Sequence, residues 1–297
     1  MRINPICTKK RVSVAWFVVA LACGGTAVGS LTSGARPAPL LGAAGPAQSQ
    51  QILLPEESAA KAKELIQHTI AALGGPAYLG VRDIYRAGRF AQFDSKGELG
   101  GYIKFFDYVK LPDKNRTEFS DKRNIIFVTN GREGWELDRG GVQESPAETV
   151  ERAQEALYKD IDHLFRNRLN EEGLTLRYGG SDIVDLKQAD WVEVVDRDRR
   201  TLRIAIDRAS RLPLRAVYIV RDRKTRQRTE EIEFFSNYHP VQGVLTPFQV
   251  ARERNGLKVY QVFFTENKYN TGLGDDFFSR AALEARWAEL NKGKKKK

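Results

Sequence analysis

Cysteine is nearly missing from this chain of 297 residues: Cys7 and Cys23 are the only two, and both fall within the first 23 positions. Everything after them is free of thiols, which excludes disulfide bridges and thiolate chemistry from the globular part. A body of this size can bury an adequate core without a bridge. Histidine is scarce too. His68, His163 and His239 lie far apart, and none has metal-ligand spacing to another donor. The first two read as surface positions on separate helices, and the third falls in a turn. HExxH, paired CxxC, P-loop and GxSxG patterns are all missing, so the sequence offers no metal site, no cofactor site and no catalytic residue. Gly74-Gly75, Gly100-Gly101, Gly140-Gly141 and Gly179-Gly180 read as turns or bends, because none sits between a parallel strand and a helix.

A surplus of one charge is also missing once the ends are set aside. The net charge of +10 includes four basic residues within positions 1–22 and five lysines within 291–297. The remainder has 39 basic against 38 acidic residues. A nearly neutral body argues against nucleic acid as a partner, since duplex binding needs a concentrated positive face. The acidic pairs Asp275-Asp276, Glu230-Glu231 and Asp196/Asp198 fall where turns or solvent-facing positions are expected, although a hydrolase could use such pairs. The arginine runs "VDRDRRTLR" and "IVRDRKTRQR" are interleaved with aspartate and read as solvated hairpin ends.

What is present begins with an export leader at 1–23: Lys9, Lys10 and Arg11, then the apolar run "VSVAWFVVALA", then small residues. Its end has three readings. "ALAC" resembles a lipoprotein processing box with Cys23 as the lipidated residue; an ordinary signal peptidase could cut as late as Ala47; or the uncharged run from Val12 to Ala35 stays as a membrane anchor. All three place the folded body outside the cytoplasm, in the periplasm and tethered to a membrane in two of them. Residues 24–54 are a low-complexity Gly/Ala/Pro/Ser/Gln spacer. Residues 55–290 form a single domain, and 291–297 a basic tail able to rest on an anionic membrane surface.

Within the domain, a first helix is predicted over Glu56 to Leu73, stopped by Gly74-Gly75-Pro76. A second opens at "SPAE", with Ser145 as cap and Pro146 at the first helical position, and runs to about Leu169. A third spans 280–290. Period-two alternation places strands at about 84–94, 99–109, 115–120, 124–129, 134–138, 174–178, 182–186, 191–196, 201–207, 213–221, 228–236, 244–253 and 257–266. With short links and no βαβ alternation, roughly a dozen strands form one mostly antiparallel sheet, mainly β with α, which either curls until its concave face encloses helices or a cavity, or gives way to two stacked sheets.

Several strands are apolar on both faces, which demands cover on both sides or a hollow. A hollow lined by Phe, Tyr, Leu, Ile and Val suits an acyl chain, each buried methylene contributing about 0.8 kcal/mol. Candidate lining residues are Phe90, Phe93, Ile103, Phe105, Leu157, Ile161, Tyr218, Phe234 and Phe263; parity alone leaves open which face is concave.

The segments "AALGG", "TNGREGWEL", "TLRIAIDRASRLPLRAVY", "EIEFFSNYHPVQGVLTP" and "FFTENKYNTGLGDDFF" resemble the bacterial outer-membrane lipoprotein-sorting family, the LolA/LolB-like proteins, over about residues 60–279. The resemblance implies a curled, unclosed antiparallel half-barrel, here of about 11 strands, with helices covering the concave face, that binds a lipid or the acyl chains of a lipoprotein without catalysis; the chain is expected to be a monomer. The family's carriers use an arginine near the cavity; Arg86 and Arg89 lie on the first strand but match no family motif, so neither receives that role. An envelope scaffold without a lipid ligand and a hydrolase are the alternatives.

Overall fold

Alternating apolar and polar residues, punctuated by Gly, Asn and Asp, produce thirteen strands in the computed structural model, which describes residues 53–221 and 227–292. They are β1 (Asp83–Phe93), β2 (Leu99–Lys110), β3 (Lys114–Phe119), β4 (Ile125–Asn130), β5 (Glu133–Asp138), β6 (Gly141–Glu144), β7 (Thr175–Val184), β8 (Lys187–Val195), β9 (Thr201–Asp207), β10 (Pro213–Arg221), β11 (Arg228–Val241), β12 (Val244–Arg254) and β13 (Leu257–Tyr269). The leader, Cys23, nearly all of the spacer and the lysine tail lie outside the described residues.

All thirteen strands belong to one sheet in the order β6-β5-β4-β3-β2-β1-β13-β12-β11-β10-β9-β8-β7. Every pairing is antiparallel, and β6 and β7 do not pair, so the sheet stays open. Two meanders meet where β1 pairs with β13, which places the first and last strands at the centre. The count is thirteen rather than about 11. β6 is too short to show alternation. The expected strands at 174–178 and 182–186 are one strand, because Gly179 and Gly180 form a bulge opposite Trp191 rather than a turn. β11 also runs on through His239, which is therefore in a strand; its hairpin turns at Gln242-Gly243, both with positive φ.

Helices cover part of each face of the sheet, while Phe263 and Tyr102, on the back of the central strands, stay exposed. On the front, α1 (Pro55–Leu73) lays Leu65 and Ile66 on Val192, Val194, Leu202, Ile204 and Ile206 of β8 and β9. The short α2 (Pro76–Leu79) follows, and Gly74 lies so close to the β11–β12 turn that a Cβ there would collide with the Gly243 carbonyl oxygen. On the back, the C-terminal α5 (Arg280–Asn291), together with a 3-10 turn at Asp275–Phe278, packs Phe278, Leu283 and Trp287 on Ile126, Val128 and Leu137. The C-terminal helix thus covers the face opposite to the other helices. A second back-face cluster joins Trp191, Ala205 and Val217.

The helix expected from Ser145 to Leu169 is different in two ways. It begins one residue later, as α3 (Ala147–Lys159), with Pro146 at the cap position and no side-chain cap; the Ser145 N–H instead donates to the Gly134 carbonyl at 2.9 Å. It also breaks at Asp160, whose backbone is extended (φ −75°, ψ 119°), before α4 (Ile161–His163) and a π-helical turn at Leu164–Arg168. The break has a local cause. The Asp160 carboxylate accepts the backbone N–H groups of Asp162 and His163 at 2.7 and 3.1 Å, capping a new helix rather than continuing the old one.

Candidate functional site

α3 crosses the front of the sheet as a strap fixed at both ends. Near its start, Val150 sits against Gly134 of β5, where a Cβ would come within 2.9 Å of the Val150 Cγ2, and the Gln154 side-chain amide donates to the Gly131 carbonyl. At its end, Lys159 pairs with Glu231 of β11 at 2.8 Å, and Glu231 also receives Arg254 at 2.8 Å. Between these fixings only Val150 and Ala153 of α3 are buried. Beneath the strap lies a cavity of about 210 Å³. It is larger than the roughly 150 Å³ engineered cavities that hold a benzene ring.

Its wall is partly apolar. Ile84, Val109, Val262 and Phe264 come from the central strands, Phe235 and Val250 from β11 and β12, and Leu157 and Ile161 from the helical side. The same floor carries charges, each held by a partner. The Asp107 carboxylate is fully buried; it accepts Arg86 Nη2 at 2.6 Å on one oxygen, and the Asn115 amide and Thr117 hydroxyl at 2.8 Å each on the other. Burial pulls the Arg86 pKa down, but Asp107 outweighs it and leaves the group above the ordinary arginine value. One strand pair away, Glu233 accepts the Tyr260 hydroxyl at 2.8 Å and Arg252 at 3.1 Å. Burial, with Glu233 adding to it against Arg252, pushes the Tyr260 hydroxyl well above its usual range. Tyr78 donates to Asp162 at 2.6 Å, with Arg166 stacked on the tyrosine ring at 4.1 Å.

Asp160 is different. It lines the cavity and is itself exposed, while close to the charges of both walls. Loss of solvation, with Asp162 and Glu233 adding to it, raises its pKa to about 6, and Arg86 opposes the shift.

Of the residues singled out from the sequence, Leu157 and Ile161 line the cavity. Phe90, Ile103 and Phe105 share its face but form an aromatic and aliphatic cluster beyond it with Phe119 and Val262. Tyr218 is buried on that face in the main core, with Lys159 of α3 over its ring, and its hydroxyl is pushed up to about 12 by burial. Phe93, Phe234 and Phe263 occupy the alternate positions of their strands, on the opposite face; Phe263 is exposed. The sequence reading did not single out the charged floor, although a signal was there. Arg86 shares the phase of Ile84 and Phe90, and Asp107 that of Phe105 and Val109, so opposite charges stand at inward positions of neighbouring strands. Asp160 has no such signal, because it breaks the helical pattern that would have placed it.

No protein-family profile matches the chain, and no curated protein sequence does either. Solved structures do. A domain named for outer membrane lipoprotein sorting, from Vibrio parahaemolyticus, superposes with a TM-score of 0.52 at 14% identity, covering 76% of this chain and 99% of that one. A DUF1329 family protein from Desulfovibrio piger gives 0.50 at 16% identity, with the same coverage of 76% and 99%. At such identities the likeness is one of fold. The half-barrel that the sequence segments resemble is the fold this chain has.

Proposed function

We propose that this protein is a non-enzymatic binder of lipid or of lipoprotein acyl chains in the bacterial cell envelope, acting as a carrier or an acceptor. The observation that carries the reading is the cavity beneath α3, in a fold whose other helix–sheet contacts, at α1 and α5, are packed. Protein interiors are ordinarily close-packed, so a hollow of about 210 Å³ between a helix and a sheet needs a reason. Leu157, Ile161, Ile84, Val109, Val262 and Phe264 form the surface for an alkyl chain, and the cluster around Phe90, Ile103 and Phe105 extends the same apolar face. Asp107, Asp162 and Glu233 are engaged by arginine and tyrosine donors, the arrangement of a neutralised wall rather than of an acid–base pair. The fold shared with the Vibrio domain and the export leader at 1–23 agree with an envelope location, with Cys23 or the apolar run as the tether.

Native mass spectrometry with lipid extraction, on protein purified from its own envelope, tests this. Co-purifying acyl species are expected. An unliganded mass that does not change with added lipid would overturn the reading and leave the scaffold alternative.

A further inference from the structure

Beyond the reach of α5, the back of β2, β1 and β13 is bare at Tyr102 and Phe263. We propose that this is the face by which the folded domain rests on an anionic lipid bilayer. The proposal is independent of what the hollow on the front holds.

Side chains that gain from burial stand exposed there: Tyr102 at 59%, Leu99 at 48% and Phe263 at 36%. The register sets Phe263 in one row across the sheet with Arg89 and Lys104, and Tyr102 in the next row with Ala91 and Gln261. All of these point to the back, because they alternate with Phe90, Ile103 and Val262 of the front cluster. The rows continue into β12 as Gln249 and Ala251, so neither brings in a carboxylate. Arg89 forms no ion pair among the described residues. Lys104 meets only Asp121, at 3.3 Å with both side chains in water, a pair of little strength. Cations interleaved with amphipathic rings match a membrane interface. Tyrosine sits there at headgroup level, and basic side chains lay their stems on apolar surface with the charge in the polar layer.

The end of the chain adds charge at the same place. The Ser120 N–H donates to the Lys104 carbonyl at 2.9 Å, so the β3–β4 turn lies beside Lys104. α5 runs toward that turn: Arg280 opens it near Glu144, and Arg286 donates to the Lys122 carbonyl at 3.1 Å. Lys122 is exposed and forms no ion pair among the described residues. Lys292 follows about 9 Å further along the helix axis, and the sequence continues with Gly293 and lysine at every position of 294–297. The sign of these groups selects the occupant. A second copy of this face would set Arg89, Lys104 and the terminal lysines against their own kind. Anionic headgroups attract all of them together, each basic residue near such a surface adding to the binding. The charges are spread over β1, β2, a turn and the chain end, which suits diffuse negative charge better than the discrete acids of a folded partner.

The test is hydroxyl-radical footprinting read by mass spectrometry. The full chain is mixed with vesicles of phosphatidylcholine alone or of phosphatidylcholine with phosphatidylglycerol. Oxidation of Tyr102 and Phe263 should be about fivefold lower on the mixed vesicles than on phosphatidylcholine. Leu186, 99% exposed at the β7–β8 turn on the far edge of the sheet, should not change. Arg89→Glu with Lys104→Glu, both exposed positions, should return Tyr102 and Phe263 to the phosphatidylcholine level. Glutamine in place of the lysines at 294–297 should weaken the protection partway. Equal oxidation on the two vesicles, protection of Leu186 instead, or protection that survives both charge changes overturns the proposal. So does protection that grows with protein concentration in the absence of lipid, which would place a second copy on this face. Protection supplied equally well by a lipid-free envelope extract would place a protein there and overturns it too.

Discussion

α1 and α3 cross the front of one sheet, and each carries an apolar stripe at helical spacing, yet α1 buries five side chains and α3 buries two. The difference lies in what is beneath them. Under α1 the strands present Val192, Val194, Leu202, Ile204 and Ile206, aliphatic groups that gain by contact. Under α3 they present Arg86, Asp107, Glu233, Arg252 and Tyr260 among the apolar residues. Charged pairs tolerate burial only when hydrogen-bonded, and they offer a covering helix little apolar area to gain. A helix therefore seals where the floor is uniform and stands off where it is mixed. The same sheet supplies a packed core at one arm and a hollow at its centre.

The contrast is broken most easily at the packed end. Ile66 is 1% exposed beneath α1. Ile66→Ala should cost about 2–5 kcal/mol by removing buried methylenes and leaving a void, read as a shift of the urea midpoint at constant slope. A loss below about 1 kcal/mol would mean that α1 is no better packed than α3.

Leu157 sharpens the contrast from the other side. It already faces open space, so Leu157→Ala should cost less than about 1 kcal/mol of stability, since little packing is lost. The same variant should weaken alkyl-chain binding by about tenfold, because chain and side chain share that wall. A large stability loss with unchanged binding would make Leu157 an ordinary core residue.

These two leucine-type positions also show how far a sequence reaches. Ile66 was legible: its helix was expected over Glu56 to Leu73, and the structure starts it one residue earlier, at Pro55, and stops it at Gly74 as expected. Strand positions were largely legible, because alternation is a local property; the exceptions include four-residue β6, a double glycine that bulges instead of turning, and β11, which runs on past 236 through His239. The hollow was legible only as a demand for cover on both faces. Which face each residue joins depends on register between strands distant in sequence, such as β1 with β13, and no local pattern carries that. Phe234 and Phe263 therefore went to the back, and Asp160 was hidden inside a helix that the chain interrupts.

Asp160 offers the smallest effect and the most specific one. Its folded-state pKa of about 6 lies above the ordinary aspartate value, so the folded protein binds this proton more tightly than the unfolded chain does. Stability from this group is thus full below the unfolded value, and it is lost as pH rises through about 6. Asparagine at this position cannot ionise and retains the acceptor that caps α4. Asp160→Asn should accordingly raise the melting temperature at pH 7.5, by about 1–2 °C for a domain of this size. The advantage should shrink between pH 6 and 4 and vanish below. An advantage that does not change with pH would point to packing, and a loss at neutral pH would mean that the ionised carboxylate already has a counter-charge in the empty hollow. Since Asp162, Glu233 and Arg86 act on the same group, the profile also reports whether the polar floor and the helical roof are felt together, as the difference between α1 and α3 requires.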